Sequence, residues 1–228
     1  MNTMNTMNTM DNLRGVQNYK YEKELGIGIS SFVSLVQNKN NNQHYALKCL
    51  RLRKRILKQD IPNIYINLEF FSVISKNDFN NEVNLHILLN TKNIGPKLYT
   101  FWIENGFGYM LLEVWDRCLS FNDILSEDLS VKLQNQLTEF HKCGYLHLDI
   151  KLDNVLVKID DKNEIIDLTL TDFGLMPCLI NDAKTFKNGD YIEICKNLNY
   201  FPKNPEKIDN ILLEKMKTSI IIKKNDKV

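Results

Sequence analysis

The segment "GYLHLDIKLDNVLV", residues 144–157, constrains this chain more than any other. It sets five strongly polar side chains, His147, Asp149, Lys151, Asp153 and Asn154, between apolar flanks. A core strand does not tolerate that density of polar groups, because burying them without partners is costly. A solvated loop has no need of apolar borders. The pattern predicts a polar loop threaded along the edge of a hydrophobic core.

The surrounding pattern supplies such a core. Between Tyr19 and Leu50 three short strands are predicted, broken at the glycine-containing "GIGISS" and the turn-rich "NKNNN". Residues 79–90 place Phe79, Val83, Ile87 and Leu88 near helical spacing. "KLYTFWI" and "GYMLLEV" read as a hairpin. "SVKLQNQLTEFHKCG" reads as a helix with Val131, Leu133, Leu137 and Phe140 inward, stopped by Gly144. Two strands follow, "NVLVKID" and "IIDLTLT". From Asp172 to about Lys207 the chain reads as irregular, and "KIDNILLEKM" then as a helix with Ile208, Ile211, Leu212 and Met216 on one face. The order is an antiparallel sheet with one helix, then a mainly helical half, so two lobes with a cleft are predicted, a common place for a ligand.

Composition narrows the partners. A length of 228 residues with 43% hydrophobic and 25% charged side chains suits one large domain or two small lobes. A net charge of +1 gives no global field for nucleic acid or anionic lipid, and no apolar run approaches a membrane span. Five cysteines without a C-x-x-C pair, and no signal peptide, predict free thiols in a reducing, intracellular (cytoplasmic) setting. The run Arg51, Arg53, Lys54, Arg55, Lys58 reads as a solvated face, with docking or nuclear import as its alternative roles. The repeat "MNTMNTMNTM" is low-complexity, and residues 1–18 are expected to be disordered.

A loop presenting a carboxylate, an ammonium and a carboxamide from fixed flanks suits phosphoryl transfer, which needs mainly positioning and charge neutralisation. "HLDIKLDN" resembles the catalytic loop H-R-D-x-K-x-x-N of eukaryotic-type protein kinases. The other motifs of that family follow in order. Asp172-Phe173-Gly174 resembles its D-F-G, "GIGISS" its glycine-rich loop, "YALKCL" its V-A-I-K strand, and Asn204-Pro205-Glu206 its A-P-E. The resemblance covers residues 19–206. It implies an α+β, two-lobed fold: a small antiparallel N-lobe with one main helix over 19–114, then a hinge and a reduced, mainly helical C-lobe over 115–228. It implies ATP and Mg²⁺ as cofactors and Ser/Thr of proteins as acceptor, since Lys151, two residues after Asp149, resembles the Ser/Thr-kinase pattern.

The resemblance also assigns roles. Asp149 corresponds to the catalytic base and Lys151 to the lysine that neutralises the moving phosphate. Asn154 and Asp172 correspond to the magnesium ligands. Lys48 corresponds to the phosphate-binding lysine, with Glu82 as its partner in preference to Glu69. Gly26 and Gly28 would cover the phosphates, with Ser31 in place of a third glycine. Val33, Ala46 and Leu156 would enclose adenine. Leu112 would be the gatekeeper, and Glu113, Val114 and Trp115 the hinge.

Several positions depart from the family pattern. Leu148 replaces the arginine that pairs with a phosphorylated activation segment, so activity should not require that switch. Asn199 stands where a threonine is usual, and His86, expected to be a packed core histidine, where a leucine is usual. Only 22 residues follow Glu206, too few for the family's later helices. The short tail is expected to pack under the catalytic loop as a partial substitute, or to leave an apolar patch for a partner or second copy. Two alternatives to a Ser/Thr protein kinase stand beside it: a pseudokinase acting as an ATP-binding or protein-interaction module, and a small-molecule kinase.

Overall fold

A computed structural model describes residues 13–28, 30–52, 72–174, 177–185, 187–198 and 200–225. The N-terminal repeat, Arg53 to Lys58 of the basic run, Glu69 and Asn199 lie outside the described residues. The chain divides into two compact units, Met1–Ile87 with Pro96–Val114, and Leu88–Gly95 with Trp115–Val228. Among the described residues no helix is long and apolar enough to cross a membrane. All five cysteines are free thiols.

The first unit is built on β1 (Tyr19–Ile27), β2 (Ser31–Asn38), β3 (His44–Arg51), β4 (Leu98–Glu104) and β5 (Phe107–Leu112). They form one antiparallel sheet in the order β1-β2-β3-β5-β4. Strand period two splits its residues between two cores. Tyr45, Leu47 and Cys49 of β3 join Phe107, Tyr109 and Leu111 of β5 on one face, under Leu13 and Val16. Ala46 and Leu50 join Met110 and Leu112 on the other, together with Phe79 and Val83 of helix α1 (Lys76–Asn90). Lys48 alternates with Ala46 and Leu50, so it projects from the face that α1 covers.

Helix α1 buries Phe79, Glu82, Val83, Leu85, His86 and Leu89, whereas Ile87 and Leu88 are exposed. The expected inward pair is therefore corrected. At about 100° per residue the stripe that begins at Phe79 continues through 82, 83 and 86, and Leu88 lies half a turn away from it. Gly108 of β5 is where the helix comes closest, since a Cβ there would meet the Phe79 ring at 2.6 Å.

The second unit holds α2 (Glu127–Lys142) against a sheet of β6 (Arg117–Cys118), β8 (Val155–Ile159) and β9 (Ile165–Leu170). Ser126 caps α2 by accepting from Leu129 N, acidic residues fill its first turn, and Gly144 ends it at φ 90°. Its buried stripe is Leu133, Gln136, Leu137 and Phe140, with Val131 exposed against expectation, two positions off that stripe. Gln136 is tolerated inside because its Oε1 accepts Leu170 N at 3.0 Å.

The stretch after Asp172 is more regular than its sequence suggests. Strand β10 (Cys178–Leu179) pairs with β7 (Tyr145–Leu146), and α3 (Ile180–Lys184) and α4 (Gly189–Asn197) follow. Ile180, Ala183, Tyr191 and Cys195 are buried around Leu146 and Leu148, and this packing makes the segment fold. A local signal was present: Asn188 caps α4 by accepting from Tyr191 N at 2.8 Å.

Helix α5 (Lys207–Asn225) is longer than the ten residues expected. It buries Ile208, Asp209, Leu213, Met216 and Ile220, while Ile211 and Leu212 are only half-buried. Asp209 points inward, and 209, 213, 216 and 220 share its face, so the helix is turned by about one residue from the expected stripe. Ile221 and Ile222 continue the helix, but their side chains lie outside those described.

Candidate active site

In the first unit the buried ion pair Lys48–Glu82 is the focus. Lys48 Nζ lies 2.6 Å from Glu82 Oε1, with the two side chains 9% and 4% exposed. So little water reaches them that each charge depends on the other. Val33 of β2 stands opposite Lys48, and Ala46 opposite Leu112. Gly26 sits at the end of β1, with open space where a Cβ would be, and Gly28 N donates to Ser31 O at 2.8 Å to close the turn into β2. Glu113 N donates to Lys97 O at 2.8 Å, and its carboxylate accepts from Lys97 N at 3.3 Å.

His86, one turn after Glu82, is buried at 4% exposure, as expected of a core histidine. Its Nε2–H donates to Pro96 O at 2.7 Å. Burial pushes its pKa down to about 4; the Pro96 hydrogen bond opposes the shift and the nearby Lys48 charge adds to it. The imidazole is neutral at pH 7.

In the second unit the polar loop is assembled around Asp149. Its Oδ2 accepts from Lys151 Nζ at 2.7 Å and from Asn154 Nδ2 at 2.8 Å. Burial lowers the Lys151 pKa, but the hydrogen bond to Asp149 and the charges of Asp149, Asp172 and Asp153 outweigh it and hold the ammonium protonated above its usual range. Asn154 Nδ2 also donates to Asp149 O at 2.8 Å, which commits the nitrogen and leaves the carboxamide oxygen as the acceptor atom of the group. Thr171 N donates to Asn154 O at 3.0 Å, and His147 Nε2–H donates to Thr171 O at 3.0 Å, so the residue before Asp172 is fixed to both ends of the loop. A carboxamide oxygen and the Asp172 carboxylate make a sparse, hard donor set. That suits a small divalent cation which keeps waters and takes further oxygens from phosphates. Among the described residues no cluster of three or more His, Cys, Asp or Glu could hold a metal by itself. Trp115 lies beneath the Lys158 ammonium, 4.6 Å from the ring centroid, and Leu156 sits on β8 opposite Thr169.

Two features beneath the loop escaped sequence reading. Asp209, fully buried, accepts from His147 N at 2.7 Å, Leu148 N at 2.8 Å and His141 Nε2 at 2.9 Å. The carboxylate anchors the backbone at Leu148, whose φ of 63° is uncommon for a non-glycine residue, and Asp172 adopts a similar φ of 64°. A lone aspartate in an apolar helical stripe was the available signal. Gly95, at φ 80°, lies so close to Phe173 that a Cβ would meet the ring at 2.5 Å, and its N–H donates to Thr169 Oγ1 at 2.8 Å. Phe173 itself packs with Phe140 and His147, ring centroids 5.8 and 6.0 Å away. The tail thus does reach under the polar loop, through a longer helix than expected. Glu206 makes no ion pair among the described residues.

One unit is a sheet carrying a buried lysine–glutamate pair, and the other holds a polar loop from below with a buried carboxylate, an arrangement consistent with a two-lobed kinase-type fold. The protein kinase domain model matches residues 19–219, and the chain belongs to that family. It is 29% identical over 161 residues to the serine/threonine-protein kinase PKH2 of Candida albicans, covering 71% of this chain and 16% of that protein. It is 27% identical over 176 residues to the 3-phosphoinositide-dependent protein kinase 1 of Rattus norvegicus, covering 77% and 29%. It is also 27% identical over 168 residues to the calcium-dependent protein kinase 4 of Plasmodium berghei, covering 70% and 29%. The chain thus spans less than a third of the length of each of these relatives.

Proposed function

We propose that the chain is an ATP-dependent protein kinase that transfers the γ-phosphoryl group to Ser or Thr of protein substrates. The observation that carries this reading is the Asp149 carboxylate, fixed through one oxygen by Lys151 and Asn154. Its other oxygen accepts no hydrogen bond among the described residues, and in this reading it takes the hydrogen bond, then the proton, of the acceptor hydroxyl. Lys151 faces the charge that develops on the moving group. Lys48, held extended by Glu82, grips the nucleotide phosphates, under the turn that Gly26 and Gly28 leave free of side chains. Val33, Ala46, Leu156 and the backbone of Glu113 to Trp115 hold the base. Magnesium on Asn154 and Asp172 supplies charge neutralisation at the phosphates.

The Ser/Thr preference is supported by Lys151 two residues after Asp149 and by the names of the relatives. Five free thiols support an intracellular setting. The test is incubation of the purified chain with labelled ATP, Mg²⁺ and generic protein acceptors, beside Asp149→Asn. Label on acceptor Ser or Thr with the unmodified chain alone is the expected result. Equal labelling by both proteins, or none by either, rejects the reading.

A further inference from the structure

We propose that His86 is a positioning residue for the Lys48–Glu82 pair, a hydrogen-bonding clamp that sets the rotation of α1; the role rests on the kinase reading above. Helix α1 meets the sheet through three successive turns, each by different chemistry. The Phe79 ring lies in the space that a Cβ at Gly108 would need. Val83 packs with Ala46, Leu50, Met110 and Leu112, and Glu82 beside it reaches Lys48. One turn on, His86 is directed to Pro96 O.

The hydrophobic effect is non-directional, so apolar burial by itself specifies the rotation of a helix less sharply than a directional bond does. A hydrogen bond of 2.7 Å is such a bond, because it weakens steeply when misaligned. Pro96 lies two residues before β4, which pairs with β5, which pairs with β3 and so with Lys48. The clamp therefore ties α1 to the sheet that carries the lysine its glutamate must meet. Glu82 and His86 are four residues apart, so fixing one fixes the direction of the other. A neutral imidazole is also the right species beside Lys48: it donates to a carbonyl without competing, as a cation would, for the Glu82 carboxylate. The leucine usual at this position would pack in the space without adding a directional bond.

The experiment is calorimetric titration of the full chain with Mg-ATP, with melting temperatures in parallel, for wild type, His86→Gln, His86→Asn and His86→Leu. Glutamine can place an N–H where the imidazole Nε2–H lies; asparagine falls short of it and leucine has no donor. Affinity within about twofold of wild type is expected for His86→Gln. A loss of roughly fivefold to tenfold is expected for the other two, the worth of one directional hydrogen bond. The affinity order should not follow the melting order. Wild-type affinity in His86→Leu overturns the clamp and leaves the kinase reading intact. If His86→Leu does not fold, equal affinities of His86→Gln and His86→Asn overturn it instead. Wild type that binds no Mg-ATP overturns the kinase reading, and the clamp with it.

Discussion

The two halves of the candidate site hold their charges in opposite ways. Lys48 and Glu82 are enclosed together, each nearly sealed from water, so their pairing is also a condition of folding. Asp149 and Lys151 are 29% and 50% exposed, and water can stand in for either partner. What keeps the second half in shape lies underneath, where Asp209 takes two consecutive backbone N–H groups of the loop. In the proposed function, chemistry and scaffold share the same residues in the first unit and are separated in the second. Substitutions at the reacting groups should therefore cost stability in one half and activity alone in the other.

The severest break should come from Asp209→Ala. It strands two buried N–H groups and the His141 donor, at about 1–3 kcal/mol for each unsatisfied group, so roughly 3–9 kcal/mol in all. A large fall in melting temperature with loss of transfer is expected. A melt within a few degrees of wild type would show that the loop does not depend on this carboxylate.

Next in size is Lys48→Met, which leaves Glu82 buried without its cation. A loss of about 3–5 kcal/mol is expected by denaturant titration, with transfer abolished. Adding Glu82→Leu should restore most of the stability, because an apolar pair of similar volume removes the stranded charge, while transfer stays absent. If the double variant is no more stable than the single one, the pair is not the buried unit described.

The same contrast explains what could be read from the sequence. Residues that act by their own chemistry in a fixed linear pattern, His147 to Asn154 and Asp172 to Gly174, were legible because the pattern is local. So were the five strands of the first sheet, whose short apolar runs and intervening turn residues are also local. What escaped reading depends on partners far along the chain. Asp209 serves backbone groups about sixty residues away, and its one local signal, a lone aspartate in an apolar stripe, does not point to those partners. Helices α3 and α4 form because Leu146 and Leu148 offer an apolar surface to Ile180, Ala183, Tyr191 and Cys195. The faces of α1 and α5 were misjudged because the stripes run through Glu82, His86 and Asp209, polar residues that a hydrophobicity pattern turns outward. Leu148 was legible as a departure, but its use was not: it is 3% exposed within that same apolar cluster.

A smaller effect should follow pH. His86 is depressed to about 4 in the folded protein, against 6.5 unfolded. Between those values the unfolded chain binds more protons, so stability rises with pH there and is lost as pH falls. The contribution is fully present above about pH 6.5 and drains away toward pH 4, up to about 3 kcal/mol in total. Denaturant titrations at pH 7, 6, 5 and 4.5 should show this slope in wild type and lack it in His86→Gln. Parallel slopes in the two proteins would mean that the buried imidazole is not the group responsible.

The smallest change in stability should accompany Lys151→Ala, and it tests the second half of the comparison most directly. Its pair with Asp149 is half in water, so losing it costs under about 1 kcal/mol. Asn154 still holds the Asp149 carboxylate through Oδ2, and Asp209 still holds the loop from below. The folded protein should melt within about two or three degrees of wild type and keep its affinity for Mg-ATP. Transfer should nevertheless fall by roughly 10²–10³-fold in kcat, the range seen when one preorganised donor is removed from a developing charge. A fall in melting temperature comparable to that of Lys48→Met would place Lys151 among the scaffold residues and erase the distinction between the two halves.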